Sequence, residues 1–265
     1  MADDYFGGCD VGSTTGKAVI LRGGEVVATS LVPSTVDPEQ TSRLAMDAAC
    51  GEVPDLGGAG DLAYLVGTGY GRNEVPFANE NISEITCHAV GAHHCDPGIR
   101  TLIDIGGQDM KAVALKEDGT VLEFAMNDKC AAGTGRFFEA MSRTFQVSLE
   151  EFSELSLRAR RTVPVTSQCS VFAETEVVSL LAKRKSPADV AAGIQTSVAK
   201  RAFSLSRRVG VRPKLTVTGG CAKNQGLLKA MVKVLRLEVA PLNVDPQLVG
   251  ALGAAVLAQR KGAGR

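Results

Sequence analysis

Two stretches of the sequence repeat each other, and this repeat limits the possible folds more than any other feature. Cys9–Leu21 reads CDVGSTTGKAVIL, and Ile103–Leu115 reads IDIGGQDMKAVAL. Six residues recur 94 positions later: Asp10, Gly12, Lys17, Ala18, Val19 and Leu21 become Asp104, Gly106, Lys111, Ala112, Val113 and Leu115. A turn and a second apolar run follow each copy, which predicts strand, turn, strand, turn and strand in an antiparallel order. Two unrelated hairpins are the alternative, but six matches at one spacing favour a duplicated domain.

The residues at the first turn of each copy suit a phosphate ligand. An aspartate ends a buried strand and glycines follow it, so backbone N–H groups can approach an anion. The hydroxyl and amide donors expected there are Ser13, Thr14 and Thr15 in the first copy and Gly106, Gly107 and Gln108 in the second. Asp10 and Asp104 would hold Mg²⁺-bound waters or orient an attacking water, and Gln108 is a third candidate for the second role. Lys17 would neutralise phosphate charge, or would be an ordinary solvated lysine of a hairpin.

The charge balance excludes a partner that is bound by bulk charge. The 265 residues carry 29 basic and 29 acidic side chains, and the pI is near 6.8. Nucleic acid or a membrane surface would call for an excess of basic residues. No apolar run approaches the ~18 residues of a membrane helix, and the acidic, glycine-broken start does not resemble a signal peptide. We therefore expect a cytoplasmic protein in which the seven cysteines form no disulfides.

Two of those cysteines, Cys130 and Cys169, each stand at the start of a predicted helix. Neither segment contains a histidine that could activate a nucleophile, and two thiolates cannot complete a four-thiolate metal site. Two chains related by a two-fold axis would supply four ligands, enough for a 4Fe–4S cluster. Buried structural thiols remain an equal alternative on this reasoning. A third segment, SEITCHAVGAHHC, reads as a helix with small residues on a packed face and mostly solvated imidazoles, rather than as a metal site.

The whole pattern resembles the superfamily of actin, the heat-shock chaperone ATPases and the sugar kinases, in which ATP lies between two related domains. A strand followed by Thr218, Gly219 and Gly220 resembles that superfamily's adenosine turn, and a late helix around Gly250 resembles its small-residue helix. Gln247 precedes that helix and is assigned to nucleotide binding with it. The resemblance implies an α/β fold of two duplicated actin-like ATPase domains, each with a mixed sheet opened by an antiparallel hairpin and flanked by helices. Residues 1–98 plus 246–265 would form domain I, and 99–245 domain II.

Seven motifs also follow the order of one family, the activator component of 2-hydroxyacyl-CoA dehydratases. They are DVGST…K, GTGYGRN, SEITCHA, IDIGGQD, NDKCAAGTGRF, VFAETEV and TGG. The resemblance implies that Cys130 and Cys169 ligate one 4Fe–4S cluster that bridges a homodimer. It also implies that ATP, with Mg²⁺, is bound at Gly12 and Ser13–Lys17, at Gly106 and Gly107, and at Gly219 and Gly220. Gly16 departs from the family, because a bulkier residue is usual there.

The same resemblance implies an ATP-dependent one-electron donor. A ferredoxin or flavodoxin would load the cluster, and ATP hydrolysis would drive the electron on to an iron–sulfur 2-hydroxyacyl-CoA dehydratase. Related functions are the ATPase subunit of benzoyl-CoA reductase and the reductase of a double-cubane cluster protein. A small-molecule kinase is the alternative from another class, but it leaves the paired cysteines unexplained.

Overall fold

The structure, a computed structural model, describes residues 4–128, 131–166 and 169–263. The chain forms two compact units. Unit 1 consists of Met1–Ile99, Leu115–Leu122 and Leu242–Arg265, and unit 2 of Arg100–Ala114 and Glu123–Pro241. Across these described ranges, no helix combines the length and the apolar character that a membrane crossing needs.

The strands form one sheet in each unit. In chain order they are β1 (Tyr5–Val11), β2 (Thr15–Arg22), β3 (Glu25–Pro33), β4 (Tyr64–Thr68), β5 (Glu80–Asn81), β6 (Thr101–Ile105), β7 (Met110–Leu115), β8 (Val121–Asn127) and β9 (Leu215–Thr218). The first sheet has the order β3-β2-β1-β4-β5 and the second β8-β7-β6-β9. In each, the first strand pairs antiparallel with the second and parallel with a later strand, β4 or β9. The predicted duplication, the hairpins and the α/β class are confirmed.

Eight helices lie within the described residues. They are α1 (Pro38–Cys50), α2 (Glu84–Cys95), α3 (Gly135–Phe145), α4 (Leu149–Leu157), α5 (Ser170–Ala182), α6 (Pro187–Ser206), α7 (Gln225–Leu235) and α8 (Val249–Gly262). In unit 1, α2 and α8 pack with their backbones nearly in contact. A Cβ atom at Gly253 would lie 1.8 Å from the Cys87 carbonyl oxygen, and one at Gly91 would lie 2.1 Å from the Val249 carbonyl oxygen. Gly8 does the same on β1, because a Cβ atom there would lie 3.0 Å from the Ala254 carbonyl carbon. Helix α8 therefore packs directly on the strand that carries the first candidate aspartate.

In unit 2, α3 is fixed by an aromatic core. Its residues Phe137 and Phe138 are buried, and Phe138 packs 6.3 Å, ring to ring, from Phe152 of α4. Phe145, at the end of α3, meets the same ring edge-on at 5.2 Å. Burial of large aromatic side chains contributes strongly to stability. The helix that follows Cys130 in the sequence is therefore held firmly within unit 2.

Candidate functional site

Asp10 and Lys17 form a buried ion pair at the first hairpin of unit 1. They are paired residues in the β1–β2 register, and the Lys17 Nζ lies 3.1 Å from the Asp10 Oδ2. The Lys17 ammonium also donates to the Thr15 carbonyl oxygen at 3.2 Å. Lys17 is buried, so the alternative of a solvated hairpin lysine is wrong. Because an ammonium has three donors, one remains for a phosphate oxygen.

The turn between β1 and β2 presents backbone donors. Gly12 N–H donates to the Thr15 carbonyl oxygen at 3.0 Å and closes the turn. Within the described part of the chain, the N–H groups of Ser13 and Thr14 donate to no other residue. A Cβ atom at Gly12 would lie 2.8 Å from the Lys17 Nζ. Glycine at that position therefore leaves room for the ammonium beside two consecutive amides, an arrangement that suits an anion.

The second hairpin repeats this arrangement in unit 2. Asp104 and Lys111 are paired in the β6–β7 register, and the Lys111 Nζ lies 3.4 Å from the Asp104 Oδ2. Asp109 adds a second carboxylate 2.7 Å from the same ammonium. Gly106 N–H donates to the Asp109 carbonyl oxygen at 3.0 Å, as Gly12 does in the first turn.

The second turn also presents two backbone amides. Among the described residues, no acceptor is bonded to the N–H groups of Gly107 and Gln108, and the Gln108 side chain is exposed. Gly107 and Gln108 follow Asp104 at the same spacing at which Ser13 and Thr14 follow Asp10. Both turns thus offer the same pair of donors to a phosphate group.

In both units a threonine ends the parallel strand and a glycine follows it. Of the two threonine–glycine pairs, the sequence analysis identified only Thr218 and Gly219. Thr218 ends β9 beside Asp104, and Thr68 ends β4 beside Asp10. Each is followed by a glycine with positive φ, Gly219 at 81° and Gly69 at 92°. Cβ atoms on these glycines would lie 2.9 and 2.4 Å from an Oδ1 of the respective aspartate. The repeated Thr-Gly dipeptide after an apolar strand was the signal that would have found Gly69.

The two aspartates differ in how firmly they are held. Thr218 Oγ1 donates to the Asp104 Oδ1 at 2.8 Å, and Lys111 occupies the other oxygen. Thr68 Oγ1 is buried and bonds to no nitrogen or oxygen atom among the described residues, Asp10 included. Within the same residues, the Asp10 carboxylate forms an ion pair with Lys17 and accepts no hydrogen bond from another side chain. A carboxylate has about four acceptor positions, so Asp10 keeps more of them for a water or a hydrated cation.

His88 and Gly250 also lie beside Asp10. The sequence analysis predicted this position for neither of them. A Cβ atom at Gly250 would lie 2.7 Å from both the Asp10 Oδ2 and the His88 Nε2. His88 is buried, so the expectation of solvated imidazoles is wrong at this position. Helix periodicity gave the packed face of α2 but could not show that α8, far later in the chain, covers it.

The remaining candidate residues of the nucleotide site lie in turns. Thr15 and Gly16 begin β2, and Gly220 begins a short 3₁₀ turn after Gly219. Gln247 is half-buried before α8, and its N–H donates to the Asp245 Oδ1 at 2.9 Å. Gln247 belongs to unit 1 and the Gly219–Gly220 turn to unit 2.

Cys169 is the exposed thiol among the cysteines that the structure describes. It is the N-cap residue of α5, with φ −87° and ψ 140°. Burial raises the pKa of Cys87 and Cys221 to about 12 and that of Cys95 to about 11, and it also raises the pKa of Cys9 and Cys50. Because a metal ligand has to be a thiolate, these five thiols are poor candidates. Cys130 lies outside the described residues.

The segment that leads to Cys169 is held by α5 and α6. Thr166 N–H and Oγ1 both donate to the Glu176 Oε1 at 3.0 Å. Upstream, Asp189 of α6 accepts from the Arg160 and Arg161 amides, which lower the pKa of its carboxyl together with the Arg161 side chain. The thiol thus follows an anchored backbone.

The helix after Cys130 begins later than its sequence indicated. Cys130 was expected at the helix start, whereas α3 begins at Gly135. Gly133, with φ 98°, and Thr134 form a turn first. The first two amides of α3 are also occupied, because Gly135 N–H donates to the Gly106 carbonyl oxygen and Arg136 N–H to that of Gly107, each at 2.9 Å. Over the three described stretches, no group of three or more His, Cys, Asp or Glu side chains could hold a metal ion.

The chain is similar to several known proteins in sequence and in fold. The chain is 45% identical over 256 residues to the activator of lactoyl-CoA dehydratase of Anaerotignum propionicum, covering 96% of this chain and 97% of that protein. Its fold matches the solved activator of 2-hydroxyisocaproyl-CoA dehydratase from Clostridium difficile with bound ADPNP, with a TM-score of 0.90 and 41% identity over 98% and 96% of the two chains. One of the subunits of benzoyl-CoA reductase from Thauera aromatica is 31% identical to this chain, over 94% of this chain and 91% of that subunit. Residues 8–258 match the model of one family, and the chain therefore belongs to the BadF/BadG/BcrA/BcrD ATPase family.

Proposed function

We propose that this protein is an ATP-dependent one-electron donor to a 2-hydroxyacyl-CoA dehydratase. The observation that carries the proposal is the exposed Cys169 thiol at the N-terminus of α5, in a chain whose other described cysteines are buried or half-buried. Relatives named as dehydratase activators support the acceptor. ATP hydrolysis follows from the family, and its coupling to electron transfer is the proposed step.

The nucleotide site is proposed at the two hairpin turns and the Gly219–Gly220 turn. The amides of Ser13, Thr14, Gly107 and Gln108 would bind phosphate oxygens, and Lys17 would add its third donor. We assign Asp10 to the hydrated Mg²⁺ ion or the attacking water, because Lys17 occupies a single one of its acceptor positions. Asp104 is assigned a fixing role, since Thr218 and Lys111 hold it.

The metal group is proposed to be a 4Fe–4S cluster held by Cys130 and Cys169 of two chains. Cys169 fits such a group, because its thiol is exposed and, among the described residues, its side chain makes no capping hydrogen bond to the first amides of α5. When bound, the cluster would supply a site that accepts and releases a single electron at low potential. An N-terminal helix end favours the negative charge of such a group.

A second copy of the chain would also cover apolar surface beside Cys169. Val171 and Phe172 follow the cysteine in the first turn of α5, and both are 68% exposed. Large exposed apolar side chains in a cluster are typical of interaction sites.

A ferredoxin or flavodoxin is the proposed electron source, in keeping with the one-electron step.

The ATPase subunit of benzoyl-CoA reductase is the second candidate. The 31% identity to one of the subunits of that reductase favours it over functions outside the family. The higher identity to dehydratase activators favours the first candidate.

The test is anaerobic purification with measurement of iron, sulfide and molecular mass. We expect four iron and four sulfide per two chains, and reduction of the dehydratase only when ATP is present in stopped-flow mixing. Cys130→Ser and Cys169→Ser should lose iron, whereas Cys95→Ser, at a half-buried thiol, should keep it. Phe172→Asp should yield monomers without iron, and Leu44→Asp, at an exposed position of α1, should not. Full iron content in Cys169→Ser, or equally fast reduction of the dehydratase without ATP, would contradict the proposal.

A further inference from the structure

Thr68 carries a buried hydroxyl that the fold does not use. The side chain is fully buried at the end of β4, and within the described residues its Oγ1 atom bonds to no nitrogen or oxygen. Burying a hydroxyl without a hydrogen bond costs free energy, and most buried polar atoms of native proteins have a partner. An exception calls for an explanation, and a catalytic role is one of the recognised ones.

The equivalent residues of unit 2 show that a bond to the neighbouring aspartate is within reach of such a hydroxyl. Thr218 pairs with Asp104 in the β6–β9 register and donates to its Oδ1 at 2.8 Å. Thr68 pairs with Asp10 in the β1–β4 register, so these two side chains also lie on one face of their sheet. The chain therefore keeps the Thr68 hydroxyl beside Asp10 without using it to fix the carboxylate.

A thiol lies beside the Thr68 hydroxyl. Cys87 of α2 is fully buried, and burial raises its pKa to about 12, although the Thr68 side chain acts in the opposite direction. The thiol therefore stays protonated at neutral pH, and its sulfur is a weak acceptor. Contact with this sulfur leaves the two lone pairs of the Thr68 oxygen open.

Stability alone would favour valine at position 68. Valine has the shape of threonine, is favoured in strands and needs no hydrogen bond. Removal of a hydroxyl that has no partner is close to neutral or stabilising, whereas removal of a bonded one, such as that of Thr218, is destabilising. Residues that a fold does not need for its stability are typical of functional sites.

The carboxylate beside Thr68 has an accessible oxygen. Lys17 is paired with the Asp10 Oδ2, whereas the Oδ1 atom lies beside Gly69, where a Cβ atom would collide with it. Glycine after Thr68 thus leaves room at this oxygen. Asp104 differs, because Thr218 and Lys111 hold both of its oxygens.

We propose that Thr68, together with Asp10, positions the water that attacks ATP. This inference rests on the proposed function and adds a positioning residue to its nucleotide site. The Thr68 oxygen binds one proton of the water and the Asp10 carboxylate the other, so that a lone pair of the water oxygen faces the γ-phosphorus. The water oxygen then bonds to phosphorus and gives its second proton to Asp10. The bond to the β,γ-bridging oxygen breaks, and its electron pair leaves with ADP.

The test compares variants of the full chain, purified anaerobically, that differ in this hydroxyl. Thr68→Val replaces the hydroxyl by a methyl group, and Thr68→Ser keeps the hydroxyl. Thr29→Val is the matched control, because Thr29 is an exposed strand residue of β3. Phosphate release at saturating ATP gives the rate, and calorimetry gives the affinity for a non-hydrolysable ATP analogue. Urea unfolding gives the stability.

Thr68→Val should lower the rate about tenfold to a hundredfold, since a misplacement of about 1 Å can cost as much. Its affinity for the analogue should equal that of the wild type, because Thr68 acts on the water and not on the nucleotide. Its urea midpoint should stay the same or rise, whereas that of Thr218→Val should fall. Thr68→Ser should recover most of the rate, and Thr29→Val should match the wild type in rate and affinity.

Asp10→Asn separates the inference from the function on which it rests. A wild-type rate in Asp10→Asn contradicts the proposed nucleotide site itself. Lost hydrolysis in Asp10→Asn together with a wild-type rate in Thr68→Val refutes the inference and leaves that site standing. The inference also fails if serine does not restore the rate, or if Thr68→Val binds the analogue as weakly as it hydrolyses ATP. If Thr68→Val does not fold, Thr68→Ala against Thr68→Ser decides, because these two differ by the hydroxyl.

Discussion

The Thr218 hydroxyl donates a hydrogen bond of 2.8 Å to the Asp104 carboxylate. Its counterpart in the other unit, Thr68, makes no such bond to Asp10. Both aspartates pair with a lysine across the hairpin, so this hydroxyl is a main difference between the two sites. We expect the difference to separate catalysis from stability.

Asp10→Asn should abolish most ATP hydrolysis. The amide cannot accept a proton from water or compensate a hydrated cation, and loss of such a group typically costs about 10²–10⁴-fold in rate. Phosphate release at saturating ATP measures the effect, with ATP binding followed by calorimetry. Hydrolysis at the wild-type rate would remove Asp10 from the catalytic role.

Asp104→Asn should act chiefly on stability. The substitution leaves the buried Lys111 without one of its carboxylates, and breaking a buried pair costs up to about 3–5 kcal/mol. Asp109, 2.7 Å from the same ammonium, should reduce that loss. Urea unfolding gives the free energy. Wild-type stability combined with lost hydrolysis would reverse the assignment of the two aspartates.

Gly250→Ala should impair hydrolysis although alanine favours helices. In an exposed helix this exchange stabilises by about 1 kcal/mol. Here the new Cβ atom would lie 2.7 Å from both the Asp10 Oδ2 and the His88 Nε2, so the carboxylate has to shift. The rate of phosphate release is compared with that of Gly60→Ala, which meets no atom. Equal rates in both variants would show that Asp10 tolerates displacement.

Gly16→Ala should destabilise the protein by about 1–3 kcal/mol, the usual cost of overpacking. A Cβ atom there would lie 2.6 Å from the Thr41 Cγ2. Thr41→Ser removes that methyl group and keeps the hydroxyl that bonds to the Thr35 amide. The double variant should recover part of the loss in urea unfolding. Simple additivity of the two substitutions would mean that Thr41 is not the obstacle.

Stability should fall at alkaline pH, with Cys221 as one cause. Burial first, then the charges of Asp104 and Glu139, raise the pKa of this thiol to about 12. In the unfolded chain the thiol loses its proton near pH ~8.5. Between that pH and 12 the unfolded state is therefore stabilised relative to the folded state, and the free energy of unfolding falls by up to about 1.4 kcal/mol per pH unit. Unfolding by urea at pH 8, 9 and 10 measures the slope, which should be smaller in Cys221→Ala. An unchanged slope would assign the effect to other buried thiols.

The two hairpins could be predicted from the sequence because each repeats the other at one constant spacing. The matching strand ends could not be paired in the same way. Asp10 and Thr68 are 58 residues apart in the sequence, whereas Asp104 and Thr218 are separated by 114. The second unit inserts helices α3–α6 between hairpin and parallel strand, so a search at fixed spacing misses Thr68 and Gly69.

Long-range packing explains the other differences. The burial of His88 depends on α8, which the chain adds some 150 residues after α2. The late start of α3 depends on the Gly106 and Gly107 carbonyls that receive its first amides. Neither is encoded in the local periodicity of the helix itself.

The surface position of Cys169 makes its thiol accessible to oxidants. This thiol faces solvent and is open to oxidation to sulfenic acid, whereas Cys9 and Cys221 are shielded. If Cys169 holds the proposed cluster, a newly made chain is exposed to this oxidation until the cluster is in place.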